Sequence, residues 1–210
     1  MICANKIKVV ETCGAAPDLM KKLHAQLRAG GVEVIIHKCV KVSQAKRAEE
    51  TLGVDMISLM GFDSGGLPGE ADTGLFVQLA LAKKVLKIPF LASGGVATGS
   101  QLLAALALGA AGVQIGTRFN ATVECSVFPQ SFKKRMVSAG IRDTAVVMSP
   151  FNASSRVLLN AGMSPRARYV HGWLRSASCM LALRACSKQA VCRAPACCAH
   201  NSGARRRQQF

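Results

Sequence analysis

One pattern constrains this chain more than any other. From residue 6 to about residue 158, short apolar runs rich in Val and Ile alternate with Ala- and Leu-rich stretches of helical period. Ile7–Val10 reads as a strand, and Pro17–Ala29 as a helix opened by Pro17 and stopped by Gly30-Gly31. Val32–His37 is the next strand, nearly continuous in Val and Ile as expected when both sheet faces are covered. Ser43 is placed to cap a helix through Leu52, ended by Gly53, and Asp55–Met60 returns to strand. The loop Gly61–Glu70 leads to a helix near Leu75–Leu86. Pro89–Ala92 is a strand entering Ser93-Gly94-Gly95, and Gln101–Leu108 a helix closed by Gly109. Gly112–Ile115, a last strand, enters Gly116-Thr117-Arg118-Phe119. Five successive βα units, each about 30 residues long, predict an α/β fold with a parallel sheet and right-handed crossovers.

Such a sheet is either open and doubly wound or part of a closed (β/α)8 barrel. In both, sites lie at the carboxyl ends of the strands. No G-x-G-x-x-G follows the first strand, which counts against a dinucleotide fold. A barrel takes about 250 residues, and the alternating region supplies five of its eight units.

The formal charge is +16, from 27 Lys plus Arg against 11 Asp plus Glu, and it is unevenly spread. Residues 1–160 carry 18 basic and 11 acidic side chains, a net +7, whereas 161–210 carry nine basic residues and no acid. Basicity that would suggest a nucleic-acid partner thus belongs largely to one terminal segment, and no specific nucleic-acid binding is expected of the body. No apolar run approaches the ~18–20 residues of a membrane span. The nine cysteines follow the same division, with Cys3, Cys13, Cys39 and Cys125 in the body and five in the last thirty-two residues. An odd count without a basic, apolar leader suggests reduced thiols in a cytoplasmic setting.

Three features carry chemistry. Ser93-Gly94-Gly95 and Gly116-Thr117 end consecutive strands and precede helical sequence, an arrangement in which backbone N–H groups can receive a phosphate. Lys38 closes the second strand, where its cation either faces solvent or stabilises an anion in a site; His37 points to the opposite face and reads as a packed core histidine. The loop from Gly61 to Glu70 is Gly-rich enough for a backbone-shaped binding loop. Its carboxylates, Asp63 and Glu70, would serve as bases only if burial raised their pKa values.

The segments VIIHKCVKVSQAKRAEETLGVDMISLMGFDSGGLPGEADTG (34–74), IPFLASGGVATGSQLLAALALGAAGVQIGTRFNATVEC (88–125) and DTAVVMSPFNASSRVLLNAG (143–162) together resemble nitronate monooxygenases, the 2-nitropropane dioxygenase family. The resemblance rests on the order and spacing of HKC, GF-x5-PGE, ASGG, ALALGA, GTRF-x-AT-x-E and RV-x2-N over residues 5–160. It implies a partial TIM barrel holding the last five βα units, with FMN contacted by Lys38, Gly66, Ser93, Gly94, Gly95, Gly116 and Thr117. It further implies oxidation of a small nitronate by dioxygen to a carbonyl compound and nitrite. In the family the glycine-rich loop ends Gly-His-Pro-Gly, the histidine deprotonating the nitroalkane or positioning it; here the run is Gly66-Leu67-Pro68-Gly69. No catalytic residue is therefore assigned. A flavin-dependent enoyl reductase and a non-catalytic remnant are the alternatives. The first three strands of the resembling barrel are expected to be missing, leaving sheet edges that invite self-association.

Residues 161–210 lack the alternation and read as a basic, weakly helical or disordered tail separate from the 1–160 domain. Cys192-x4-Cys197-Cys198-x-His200 lacks the paired spacing of a structural zinc site, so no metal is assigned.

Overall fold

The computed structural model describes residues 1–14, 17–68, 72–148 and 154–159, all within the compact unit Met1–Arg168. The expectations for the 161–210 tail, for Glu70 and for the Cys192–His200 cluster lie outside the described residues.

Five strands, β1 (Val9–Cys13), β2 (Val34–Cys39), β3 (Met56–Met60), β4 (Phe90–Ser93) and β5 (Gly112–Gln114), form one sheet in the order β1-β2-β3-β4-β5. Every neighbouring pair is parallel. Strand order that follows chain order without reversal separates the two architectures left open by the sequence. Right-handed crossovers advancing in one direction put all helices on one face, as in a barrel wall. The helices are α1 (Pro17–Ala29), α2 (Val42–Thr51), α3 (Leu75–Val85) and α4 (Gly99–Ala107), then α5 (Thr117–Asn120) and α6 (Gln130–Ser138). After α6, β6 (Thr144–Met148) and β7 (Ser154–Leu158) make an antiparallel pair.

The core lies between helices and sheet. Strand alternation turns Ile35, Ile57, Leu59 and Ala92 towards the helices, where Ala45, Ala48, Leu75, Leu79 and Ala82 meet them, all buried. The other face carries Glu11, Lys38, Ser58, Ser93 and Gln114. Glu11, Ser58 and Gln114 come from alternate strands (β1, β3, β5) and hydrogen-bond together: Ser58 Oγ donates to Gln114 Oε1 at 2.9 Å, and Gln114 Nε2 to Glu11 Oε2 at 2.6 Å. Side chains of alternate strands sharing one level is the layering of a barrel interior.

Helix α1 falls on the predicted residues, and other boundaries shift. The first strand is Val9–Cys13 rather than Ile7–Val10, because pairing runs from Val9↔Val34 to Cys13↔Lys38. Ser43 does not cap α2: the N-cap is Lys41, without a side-chain bond, and Ser43 sits inside the first turn. α4 starts earlier than Gln101, at Gly99, because Thr98 and Gln101 form a reciprocal capping box. Asp55 pins the amino end of the sheet, accepting from Ile35 N at 2.6 Å and from Arg28 at 2.5 Å. Burial raises its pKa, but those donors outweigh burial and hold it below the usual carboxylate value.

Candidate functional site

The segments after β3, β4 and β5 converge at one end of the sheet. Gly94 (φ +84) and Gly95 (φ +71) turn the chain out of β4 in the left-handed region that glycine tolerates. Added Cβ atoms there would meet Ser64 Cβ at 2.5 Å and Asp63 Cβ at 2.7 Å. The post-β3 loop therefore rests on the post-β4 turn, and these glycines are required for that packing as well as for the turn. A Cβ on Gly65 would sit 3.0 Å from Thr117 Oγ1, which brings in the start of α5. Among the described residues nothing lies within 4 Å of the Cβ positions of Gly66 (φ +76) and Gly116, although the Gly66 N–H and carbonyl are both bonded to Arg156.

Asp63 is spoken for. Its Oδ2 accepts from Leu75 N at 2.8 Å, capping α3 from outside the helix. Gly66 pairs with Arg156 of β7 as an isolated antiparallel bridge. The Arg156 guanidinium then returns to the loop, 5.2 Å from the Phe62 ring centroid and 3.1 Å from the Phe62 carbonyl. Leu67 stands 64% exposed next to this bridge, offering an apolar surface where the resembling family has a base.

Lys38 lies on the inner face, opposite His37 as strand alternation requires, and its Nζ is 3.3 Å from Glu11 Oε1. Ser93 joins the same network, its hydroxyl donating to Gln114 Oε1 at 2.9 Å. The network is directional: the Gln114 amide nitrogen must face the carboxylate and its oxygen the two hydroxyls. Lys38 and Ser93 are thus linked through Glu11 and Gln114, while Gly66, Gly94, Gly95 and Thr117 meet through the post-β3 loop; Gly116 immediately precedes Thr117. Glu11, Ser58 and Gln114 were missed by sequence reasoning, and Arg156 entered it only as part of the RV-x2-N motif. An acid and an amide within otherwise apolar strand segments were the available signal.

On the helix side of β1 and β2, a cavity of about 310 Å³ is lined in part by Cys13, His37, Cys39 and Arg47. Burial, and next the neighbouring Cys13, push the Cys39 thiol up to about 12, so it stays protonated. Among the described residues no group of three or more His, Cys, Asp or Glu side chains could hold a metal. No described helix is long and apolar enough to cross a membrane.

The sequence profile of the nitronate monooxygenase family matches residues 1–172. The chain belongs to that family. A nitronate monooxygenase of Paraburkholderia phytofirmans is 29% identical over 154 residues, 68% of this chain and 41% of that protein. A (3aS,4S,5R,7aS)-5-hydroxy-7a-methyl-1-oxo-octahydro-1H-indene-4-carboxyl-CoA dehydrogenase of Rhodococcus jostii is 38% identical over 140 residues, 66% of this chain and 38% of that protein. Among solved structures, FabK from Thermotoga maritima superposes with a TM-score of 0.67 at 35% identity, over 80% of this chain and 50% of FabK. Nitroalkane oxidase from Streptomyces ansochromogenes gives 0.63 at 25% identity, over 76% and 47%. The chain therefore spans about two fifths of the curated relatives' length and about half that of the solved ones.

The residues present fit a flavin phosphate and ring. Among the described residues the space at the Gly116 Cβ position is open, and the buried Ser64 hydroxyl, packed against Gly94, has no hydrogen-bond partner.

Proposed function

We propose that this chain is the FMN-holding part of an oxidoreductase that converts a small alkyl nitronate and dioxygen into a carbonyl compound and nitrite. The observation that carries the reading is the convergence of three post-strand segments, with open space at Gly116, at one end of a barrel-like sheet. Ser93, Gly94, Gly95, Gly116 and Thr117 would receive the phosphate, with Gly66 and Lys38 against the ring. When bound, FMN supplies electron transfer between the organic substrate and dioxygen. The protein orients both partners, and Lys38, held by Glu11, supplies positive potential where negative charge accumulates. Leu67 does not remove a proton. The substrate suited to this loop is consequently the pre-formed nitronate anion rather than the neutral nitroalkane. The reading places the protein in a reducing cytoplasm.

Leu67 also favours a second reading, a flavin-dependent enoyl reductase, since hydride delivery from a nicotinamide begins without a protein base at this position. Purified full-length chain, incubated with FMN, is tested for dioxygen uptake and nitrite release with propyl-2-nitronate, and for NADPH oxidation with an enoyl thioester. Nitronate-dependent nitrite release without NADPH oxidation supports the first reading. The reverse supports the second, and neither activity in an FMN-loaded sample rejects both.

A further inference from the structure

One carboxylate on the inner face of the sheet reaches two separate parts of the candidate site. Glu11 stands on β1 and Gln114 on β5, the first and last strands in the sheet order. Laid flat at ~4.8 Å per strand, those two strands would be about 19 Å apart. Each of the two side chains spans only about 5 Å from its Cα at ordinary bond lengths. The 2.6 Å bond from Gln114 Nε2 to Glu11 Oε2 therefore requires a sheet rolled until its two edges face each other across the interior.

The same carboxylate serves a second donor. Lys38 Nζ lies 3.3 Å from Glu11 Oε1 and 3.5 Å from Oε2. Lys38 sits near the carboxyl end of β2, whereas Gln114 ends β5, two residues before Gly116. A carboxylate only accepts, so the Gln114 amide must turn its NH2 group to Glu11 and its oxygen to Ser58 and Ser93, whose hydroxyls each donate to it at 2.9 Å. Glu11 thus fixes at once where the cation of β2 stands and how the amide leading into Gly116-Thr117 is turned.

Charge and placement give this residue opposite effects. An anion beside the cation that faces an anionic ligand opposes binding of that ligand. Placement favours it, and placement needs an acceptor at both terminal atoms and the full length of the side chain. An amide at this position turns an NH2 group towards either the ammonium or the Gln114 amide, and so holds one partner only. A side chain one methylene shorter keeps the charge but falls about 1.5 Å short of the distant strand.

Resting on the flavin reading above, we propose that Glu11 is a positioning residue of the FMN site, acting through Lys38 and Gln114. It sets the separation between the cation placed against the ring and the post-β5 glycine segment that receives the phosphate, and it touches neither FMN nor substrate itself.

The test is FMN titration of the full chain and of Glu11→Gln, Glu11→Asp and Lys38→Met, read by flavin fluorescence for affinity and, at saturating FMN, by the visible absorption spectrum of the bound flavin. Glu11→Gln keeps the reach and loses the charge; Glu11→Asp keeps the charge and loses the reach. Both should weaken FMN binding by about tenfold, the loss expected when one charge-assisted hydrogen bond is broken. At saturation both should show the bound-flavin spectrum of Lys38→Met rather than that of the unmodified protein. Tighter binding by Glu11→Gln with unchanged binding by Glu11→Asp is the pattern of charge alone and overturns the proposal. Weaker binding with the unmodified spectrum at saturation is a packing effect and overturns it too. Absence of FMN binding by the folded, unmodified chain overturns the flavin reading and the proposal with it, whereas saturable binding there with no change in either Glu11 variant overturns the proposal alone. If Glu11→Gln does not fold, Glu11→Asp decides by the same two readouts.

Discussion

Gly94→Ala should unfold this protein at a markedly lower temperature while Gly99→Ala does not. Gly94 has φ +84, where an alanine costs roughly 1–2 kcal/mol of backbone strain. Its Cβ would also lie 2.5 Å from Ser64 Cβ and 2.9 Å from Ser64 Cα. Because a backbone-attached atom is in the way, rotamer change cannot relieve the overlap, and displacing the loop adds roughly 1–3 kcal/mol. The sum is about 2–5 kcal/mol, or a fall of about 4–20 °C at 2–4 °C per kcal/mol for a chain of this size. Gly99 opens α4 with ordinary φ and nothing within 4 Å of its Cβ. There alanine should be neutral or stabilise by about 0.4–1 kcal/mol. Thermal melts followed by circular dichroism at 222 nm give both numbers. Equal melting temperatures for Gly94→Ala and the unmodified chain would refute the claim that the post-β3 loop rests on this turn.

Other consequences follow from the same contacts. Gln114→Leu strands the buried Ser58 and Ser93 hydroxyls and removes a donor from Glu11, and should cost about 2–4 kcal/mol in urea denaturation. His37, held neutral by burial, binds fewer protons folded than unfolded; its contribution is full above the unfolded value near 6.5 and is lost as pH falls below it. The urea midpoint should therefore drop between pH 7.5 and 5.5, and His37→Asn should flatten that dependence. Cys39, buried with its thiol raised to about 12, should resist alkylation in the native protein while Cys3 and Cys13, both exposed, react; mass spectrometry of iodoacetamide-treated peptides reads this directly. Leu67→His should raise turnover of neutral nitroalkanes by about 10²–10⁴-fold relative to pre-formed nitronates if a base is the only missing element. Equal rates on the two substrates before and after that substitution would contradict it.

The repeat of the fold was legible because helix boundaries are written locally. Pro17 opens α1 and Gly30-Gly31 closes it, and the helix is found on those residues. β1 was misplaced for a physical reason: Ile7 and Val9 are apolar yet 44% and 55% exposed, while the strand continues through Glu11 and Thr12, polar residues whose partners come from distant strands and helices. Glu11 acquires its role through Lys38, 27 positions away, and Gln114, 103 positions away, contacts no local pattern encodes. The glycines were readable as turns. Which of them are filled by the neighbouring loop, as Gly94 and Gly95 are, and which keep open space at the Cβ position, as Gly116 does, depends on how loops from separate βα units settle against each other. Arg156 was visible as part of a motif, but its position over Phe62 and Gly66 required the β6–β7 pair.

The central claim is that the post-strand glycines hold FMN, and Gly116→Ala tests it most directly. Its Cβ has open space and its φ of −110° suits alanine, so the melting temperature should stay within about 2 °C of the unmodified protein's. A methyl group on the backbone that approaches the phosphate should nevertheless weaken FMN binding at least tenfold in a fluorescence titration. Saturable binding by the unmodified chain with that loss in Gly116→Ala is the expected result. Absence of FMN binding by the folded chain, or identical affinity in the variant, would contradict the account.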